Sequence, residues 1–216
     1  GNIDKIVDKI DPAVVMYLIN AVHFKAEWQN PFEAALTVEQ TFRTSGGDVT
    51  ASFMHQTGGM DYLSSDDCQG VLLPYTDGRF AFFALLPADG ATPRDLIEEM
   101  DAAAFGSLLT SLNTESIDLS LPKFTARYED SLINELTALG MGVAFSGGEA
   151  DFSLMNAGGR ADLVISEVRH KTFCRVDEKG TEAAAVTSVE IQETAMPVGE
   201  ISLVFDRPFL YGIVDT

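Results

Sequence analysis

Residues 177–197, DEKGTEAAAVTSVEIQETAMP, decide how the rest of the chain is read. The run Gly180-Thr181-Glu182-Ala183-Ala184-Ala185 holds no large side chain to anchor it in a core, so its composition permits movement. Read with period two, Thr181, Ala183, Ala185, Thr187, Val189 and Ile191 share one face, and Glu182, Ala184, Val186, Ser188, Glu190 and Gln192 the other. Small or apolar inward and mostly polar outward is the pattern of a half-buried strand. Together the two properties describe a conditional strand, a loop in one state and part of a sheet in another.

Working outward, Leu163 to Val176 reads as a strand running straight into this segment, and Ile201–Phe205 and Phe209–Val214 as two apolar strands after it. Near the start, Ile3, Ile6, Val7 and Ile10 are spaced for a short helix ended by Asp11-Pro12. VVMYLINAVHF at 14–24 reads as an interior strand buried on both faces. Residues 38–44 and 49–54 form a hairpin around Ser45-Gly46-Gly47-Asp48, and Met60–Leu63 a further short strand. Gly70–Pro74 and Arg79–Pro87 flank the turn Thr76-Asp77-Gly78. Thr92 as N-cap, Pro93 at the first position and Asp95 predict a helix at 93–100, with a second near 101–112. Ile117–Leu121 is a strand leading into Pro122-Lys123-Phe124, and Asp130–Leu139 a helix closed by Gly140.

Composition narrows the functional classes. A chain of 216 residues, 46% hydrophobic and 22% charged, is ordinary for one globular domain or part of one. The net charge of −19, from 33 acidic against 14 basic side chains, argues against nucleic acid as a partner. No apolar run reaches the ~18 residues of a membrane-spanning helix, and residues 1–10 lack the pattern of a signal peptide. Cys68 and Cys174 have no paired spacing, so neither a disulfide framework nor a zinc site is implied, and Cys174 in HKTFCRV reads as a buried strand thiol. His23, His55 and His170 stand in no G-x-S-x-G or H-E-x-x-H arrangement, and the glycine-rich FSGGEADF at 145–152 lacks a phosphate-binding pattern. Nothing here calls for a metal, a cofactor or catalysis.

Glu178-Lys179-Gly180-Thr181-Glu182-Ala183-Ala184-Ala185 resembles the reactive-loop hinge of inhibitory serpins. NAVHFKAEW at 20–28, LPKF at 121–124, LGM at 139–141, ISEVRHK at 165–171 and DRPFLYGIVD at 206–215 resemble serpin segments in the expected order. The resemblance implies an α+β fold of large mixed and antiparallel sheets with few helices and a mobile reactive loop at about 178–200. It implies that residues 1–216 form part of a single domain, without the family's N-terminal helical section and last strand. Missing segments or a companion chain are then expected as partners.

By the same resemblance, Asn20 matches a residue that hydrogen-bonds a histidine on a neighbouring strand where the central sheet parts, and His170 stands in that histidine's place. Trp28 matches the residue at the top of the sheet where insertion begins. Lys123 and Glu178 match an ion pair that fixes where the loop leaves the sheet. The implied function is suicide inhibition of a serine protease. The alternative is a non-inhibitory carrier, chaperone or storage protein of the same fold; the small inward residues of the hinge favour inhibition. Counting the family's usual hinge length from Gly180 places the bait bond between Thr194 and Ala195, whereas counting back from Pro208-Phe209 places it nearer Met196 or Pro197. Small or unbranched uncharged residues there suit an elastase-like or subtilisin-like target, with some cysteine proteases as further candidates, and disfavour a trypsin-like one. Self-polymerisation by loop exchange is a hazard of the same design. The resemblance alone suggests an extracellular or cell-surface setting; the residues themselves give no localisation.

Overall fold

The structure, a computed structural model, describes residues 16–155, 163–181 and 201–216. In chain order its strands begin with β1 (Tyr17–His23), β2 (Ala26–Glu27), β3 (Val38–Thr44), β4 (Gly47–Ser64), β5 (Cys68–Pro74) and β6 (Phe80–Pro87). Two helices follow, α1 (Pro93–Glu99) and α2 (Ala102–Thr110), then β7 (Asn113–Pro122) and β8 (Phe124–Ser131). A third short helix, α3 (Ile133–Leu136), precedes β9 (Glu167–Asp177), β10 (Gly180–Thr181), β11 (Ile201–Val204) and β12 (Leu210–Asp215). The chain divides into two compact units, one drawn from the described residues of 1–24 and 125–174, the other from those of 25–124 and 175–216.

In the second unit a mixed sheet runs β11-β7-β4-β5-β6-β12, with β3 also on β4. Its spine is β4, an 18-residue strand. It pairs with β3 from Gly47 to Phe53, with β7 from Phe53 to Tyr62 and with β5 from Asp61 to Ser64. The sequence divides this strand at Gly58-Gly59, where side chains run out; the backbone ladder to β7 carries it through. FAFFALLP, the whole of β6, is paired on both sides and buried almost throughout, which explains why it lacks polar alternation.

The capping box at α1 forms as its residues predict: Thr92 accepts from Asp95 N, and the Asp95 carboxylate accepts from Thr92 N at 2.7 Å. Leu96 is thereby turned into a cluster with Leu63, Cys68, Leu72, Phe83 and Leu85, against which Phe105 and Leu108 of α2 pack. The Phe83 and Phe105 rings meet edge to face at 5.1 Å, worth roughly 0.5–1.5 kcal/mol beyond the buried area.

In the first unit β1 runs parallel to β9, from Tyr17 opposite Glu167 to His23 opposite Phe173, and β8 also pairs with β9. Here several expectations need correction. The apolar run at 14–24 is not buried on both faces: Leu18 and Val22 are 45% and 49% exposed, because among the described residues β1 has one strand neighbour and no covering layer. FTARYEDS, with few apolar residues, is a strand held by its backbone pairing rather than by a buried face. The helix expected at 130–139 shrinks to α3 and a π turn at Thr137–Met141, in which Gly140 takes φ 99°. Cys174 is half-buried rather than buried, and no disulfide joins it to Cys68. Finally, β9 starts at Glu167 rather than at Leu163 and leads directly into Glu178. It ends at Asp177, the chain turns at Glu178-Lys179, and β10 returns antiparallel to it.

Candidate functional site

The site is that turn and the residues that grip it, all within the second unit. A tight turn presents several carbonyls at once, and each buried one needs a donor. Residues 28–32 supply them. The Trp28 indole Nε1 donates to Asp177 O at 2.9 Å, Phe32 N to Glu178 O at 2.8 Å and Trp28 N to Lys179 O at 2.9 Å. Three successive carbonyls are thus taken by one short segment. Within the turn, Lys179 N donates to Asp177 Oδ1, and Arg175 pairs with Asp177 Oδ2 at 3.1 Å.

Aromatic packing makes this grip rigid. Trp28, 1% exposed, stacks on Tyr75 at 4.8 Å with the rings 8° from parallel, and meets Phe82 edge-on at 5.6 Å. Phe32 closes the far side at 6.4 Å. Trp28 and Tyr75 also form a backbone bridge, and Thr76 N donates to Glu27 O. The stack therefore joins the end of β2 to the end of β5.

Glu178 points the other way. Its Oε1 accepts from Lys123 Nζ at 2.9 Å and from Thr37 Oγ1 at 2.9 Å. Burial pushes this carboxyl up, but hydrogen bonds from Lys123, its own backbone N–H and Thr37, with the Lys123 charge, outweigh that and hold it below its ordinary value of 4.5. With Lys123 36% exposed, the pair is worth about 1 kcal/mol at most. Its effect is to set direction, by tying the turn to the junction of β7 and β8.

Beyond the turn, β10 is bonded on both sides: Gly180 lies opposite Asp177 and Glu27, and Thr181 opposite Val176 and Ala26. Only glycine fits the first position. Its φ is 156°, and an added Cβ would lie 2.1 Å from Ala26 O and 2.8 Å from Glu27 Cα. Thr181 is fully buried, and its Oγ1 lies 2.5 Å from the Tyr75 hydroxyl.

Of the residues singled out from sequence, the structure brings together Trp28, Lys123, Glu178, Lys179, Gly180 and Thr181. Glu182, Ala183, Ala184 and Ala185, and the bait residues Thr194, Ala195, Met196 and Pro197, lie outside the described residues. Asn20 and His170 lie in the first unit, where they are register partners across β1 and β9. No side-chain hydrogen bond joins them among the described residues; His170 Nδ1 is buried without a partner, and its ring meets Tyr128 edge-on at 6.2 Å. Sequence reasoning passed over Tyr75, Phe32 and Thr37. Tyr75 sits between an apolar run and the Thr76-Asp77-Gly78 turn, where a lone aromatic carries no signal of what it stacks on. Among the described residues no cluster of three or more His, Cys, Asp or Glu is placed to hold a metal ion, and no helix is long and apolar enough to cross a membrane.

A protein-family model described as Serpin (serine protease inhibitor) matches residues 1–216. An uncharacterised serpin-like protein of Thermococcus kodakarensis is 35% identical over 217 residues, covering 100% of this chain and 50% of that protein. Serpin B11 of Homo sapiens is 32% identical, covering 96% of this chain and 53% of its own length. Among solved structures, the thermophilic serpin tengpin in its native state aligns with a TM-score of 0.88 and 38% identity, over 98% of this chain and 55% of that one. Human thyroxine-binding globulin aligns with a TM-score of 0.83 and 27% identity, over 97% and 55%. The chain thus spans about half the length of the relatives it matches. Matched along its whole length, and with the expected α+β arrangement of two large sheets and few helices, this chain belongs to the serpin family.

Proposed function

We propose that the protein containing this chain inhibits a serine protease as a suicide substrate, with residues 182–200 as the bait loop and β10 as its root. Serpins are generally protease inhibitors rather than enzymes. The observation that carries the reading is β10 itself: its two residues are already hydrogen-bonded on both sides, with Thr181, first of the small inward row, fully buried. Extending that strand through Ala183, Ala185 and Thr187 meets no bulky inward side chain.

The energetics follow from strand formation. A protease attacks the bait bond and becomes esterified to the new C-terminus; the freed segment then continues β10 into the sheet. Some 13 added positions, at ~1 kcal/mol net per hydrogen bond, together with burial of Val189 and Ile191 at ~25 cal/mol per Å², sum to more than about 10 kcal/mol. That is enough to carry and distort a tethered enzyme before water releases it, given a starting fold that is kinetically trapped. Thr194, Ala195 and Met196 point to an elastase-like or subtilisin-like target with a shallow apolar primary pocket.

The test is to mix the full-length protein with pancreatic elastase, run denaturing gels and sequence the released peptide. A complex at the summed mass and a new N-terminus at Ala195 are expected. Cleavage without a trapped complex by elastase-like, subtilisin-like and trypsin-like enzymes alike would move the assignment to a non-inhibitory carrier, chaperone or storage role.

A further inference from the structure

We infer that the gap on the outer edge of β4 beside Gly58-Gly59 is a docking site for a short extended peptide with a basic side chain, which pairs its backbone with β4 and its charge with Asp61. The site lies within the second unit and does not depend on the inhibitory reading above.

The gap follows from the strand pairing. One edge of β4 is paired with β7 without a break from Phe53 to Tyr62. The other edge is shared between two strands: β3 leaves it at Phe53, and β5 joins it only at Asp61. Among the described residues no strand covers residues 54–60 on that side, about 20 Å of edge along which alternate residues direct N–H and C=O outward. β5 does not close it, because Leu73 and Pro74 continue on β6 alone and Pro74 has no N–H to give. The result is a cavity of about 310 Å³ between Gln56–Asp61 and Leu73-Pro74, at the lower end of the ~300–1,000 Å³ of ligand pockets. Gln56 reaches Asn30 O at 3.4 Å on its rim, a contact long enough to give way to a better partner.

The two glycines leave this edge bare. Neither takes a positive φ, so the backbone does not demand them. Nor does packing: a Cβ added to Gly58 meets nothing within 4 Å, and one added to Gly59 makes ordinary contact with Thr114 Cγ2 at 3.5 Å. Within this chain a β-branched residue, which a strand prefers, fits at Gly58. A strand glycine that its own fold does not need gives another backbone room to approach closely.

Charge selects the visitor. Asp61 lines the cavity, and its Oδ1 accepts from Thr114 Oγ1 at 3.2 Å. Among the described residues no lysine or arginine pairs with it, and none lines the cavity. On a chain of net charge −19 an acidic guest is repelled, whereas an arginine or lysine finds an uncompensated carboxylate. Backbone pairing supplies affinity, and the side chain at Asp61 supplies selection.

The probe is a fluorescein-labelled pentapeptide, threonine-valine-arginine-valine-threonine, titrated into the full-length protein and followed by anisotropy. Saturable binding is expected. Replacing its arginine by glutamine, or N-methylating its valines, should weaken binding about tenfold or more. Gly58→Val should abolish binding with a thermal midpoint at or above that of wild type, since the new side chain enters the gap and touches nothing of its own fold. Should that variant fail to fold, Gly58→Ala repeats the test with the smallest side chain. Asp61→Asn, which keeps an acceptor for Thr114, should bring the arginine peptide down to the affinity of the glutamine peptide and leave the latter within about twofold. Absence of saturable binding, or equal affinity for the arginine and glutamine peptides, overturns the site. So does affinity unchanged by the Gly58 substitutions, which puts the peptide elsewhere on the molecule.

Discussion

Lys123 and Glu178, 55 residues apart in the chain, meet at 2.9 Å where the turn after β9 abuts the junction of β7 and β8. Because Thr37 donates to the same carboxylate oxygen, Glu178 joins three segments distant in sequence.

This contact has a definite pH signature. The folded-state pKa of Glu178 lies below its ordinary value of 4.5, so the carboxylate adds stability above that pH and loses it as pH falls through the folded value. Glu178→Gln should therefore lower stability by about 1 kcal/mol or less at pH 7, and the difference from wild type should shrink as pH drops below 4.5. Urea denaturation of both proteins across that range measures it. Glu178→Lys sets two ammonium groups face to face and should raise inhibition stoichiometry and polymer formation; if neither moves, the pair has no positional role.

The same substitution at two glycines should have opposite signs. Gly180→Ala forces a Cβ to 2.1 Å from Ala26 O, so β10 must give up a ladder, with hinge amides losing protection and stability falling by a few kcal/mol. Gly106→Ala, inside α2 with open space around the new methyl, should raise stability by roughly 0.5–1 kcal/mol. Thermal unfolding of the two variants side by side separates them.

Trp28→Phe keeps much of the aromatic packing but removes the indole donor to Asp177 O. The stranded carbonyl should cost about 1–3 kcal/mol, visible as a lower denaturation midpoint with an unchanged slope. A midpoint equal to wild type would mean that the turn finds another donor.

Thr181→Arg places a guanidinium where the side chain is fully buried between β9 and β2. The hinge should then fail to enter the sheet, and the protein should be cleaved as a substrate with little covalent complex. Inhibition stoichiometry against elastase reads the outcome, and an unchanged value would contradict insertion.

What could be read from sequence was what local chemistry decides. Thr92, Pro93 and Asp95 start a helix because the cap is built within four residues, and the Ser45-Gly46 turn closes its hairpin for similar reasons. Structure decided by distant partners was not legible. FTARYEDS is a strand only because β9 lies beside it, and Gly58-Gly59 interrupts side chains without interrupting the β7 ladder. The turn at Glu178-Lys179 depends on donors from residues 28–32, which no local pattern announces. Trp28, Lys123 and Glu178 were found through resemblance rather than through any property of their neighbours. Tyr75 was missed because its importance lies in an indole and a hydroxyl contributed from opposite ends of the chain.

The spine strand β4 also determines where its sheet yields under load. Its seam with β7 runs from Phe53 to Tyr62, while the seam between β7 and the outermost strand β11 runs only from Ile201 to Val204. Tension along β11 loads both seams in shear, and the shorter one parts first, leaving β7 and β4 as an intact plank. A pull on the chain at Ile201 therefore meets four register pairs before it reaches the ten that join β7 to β4.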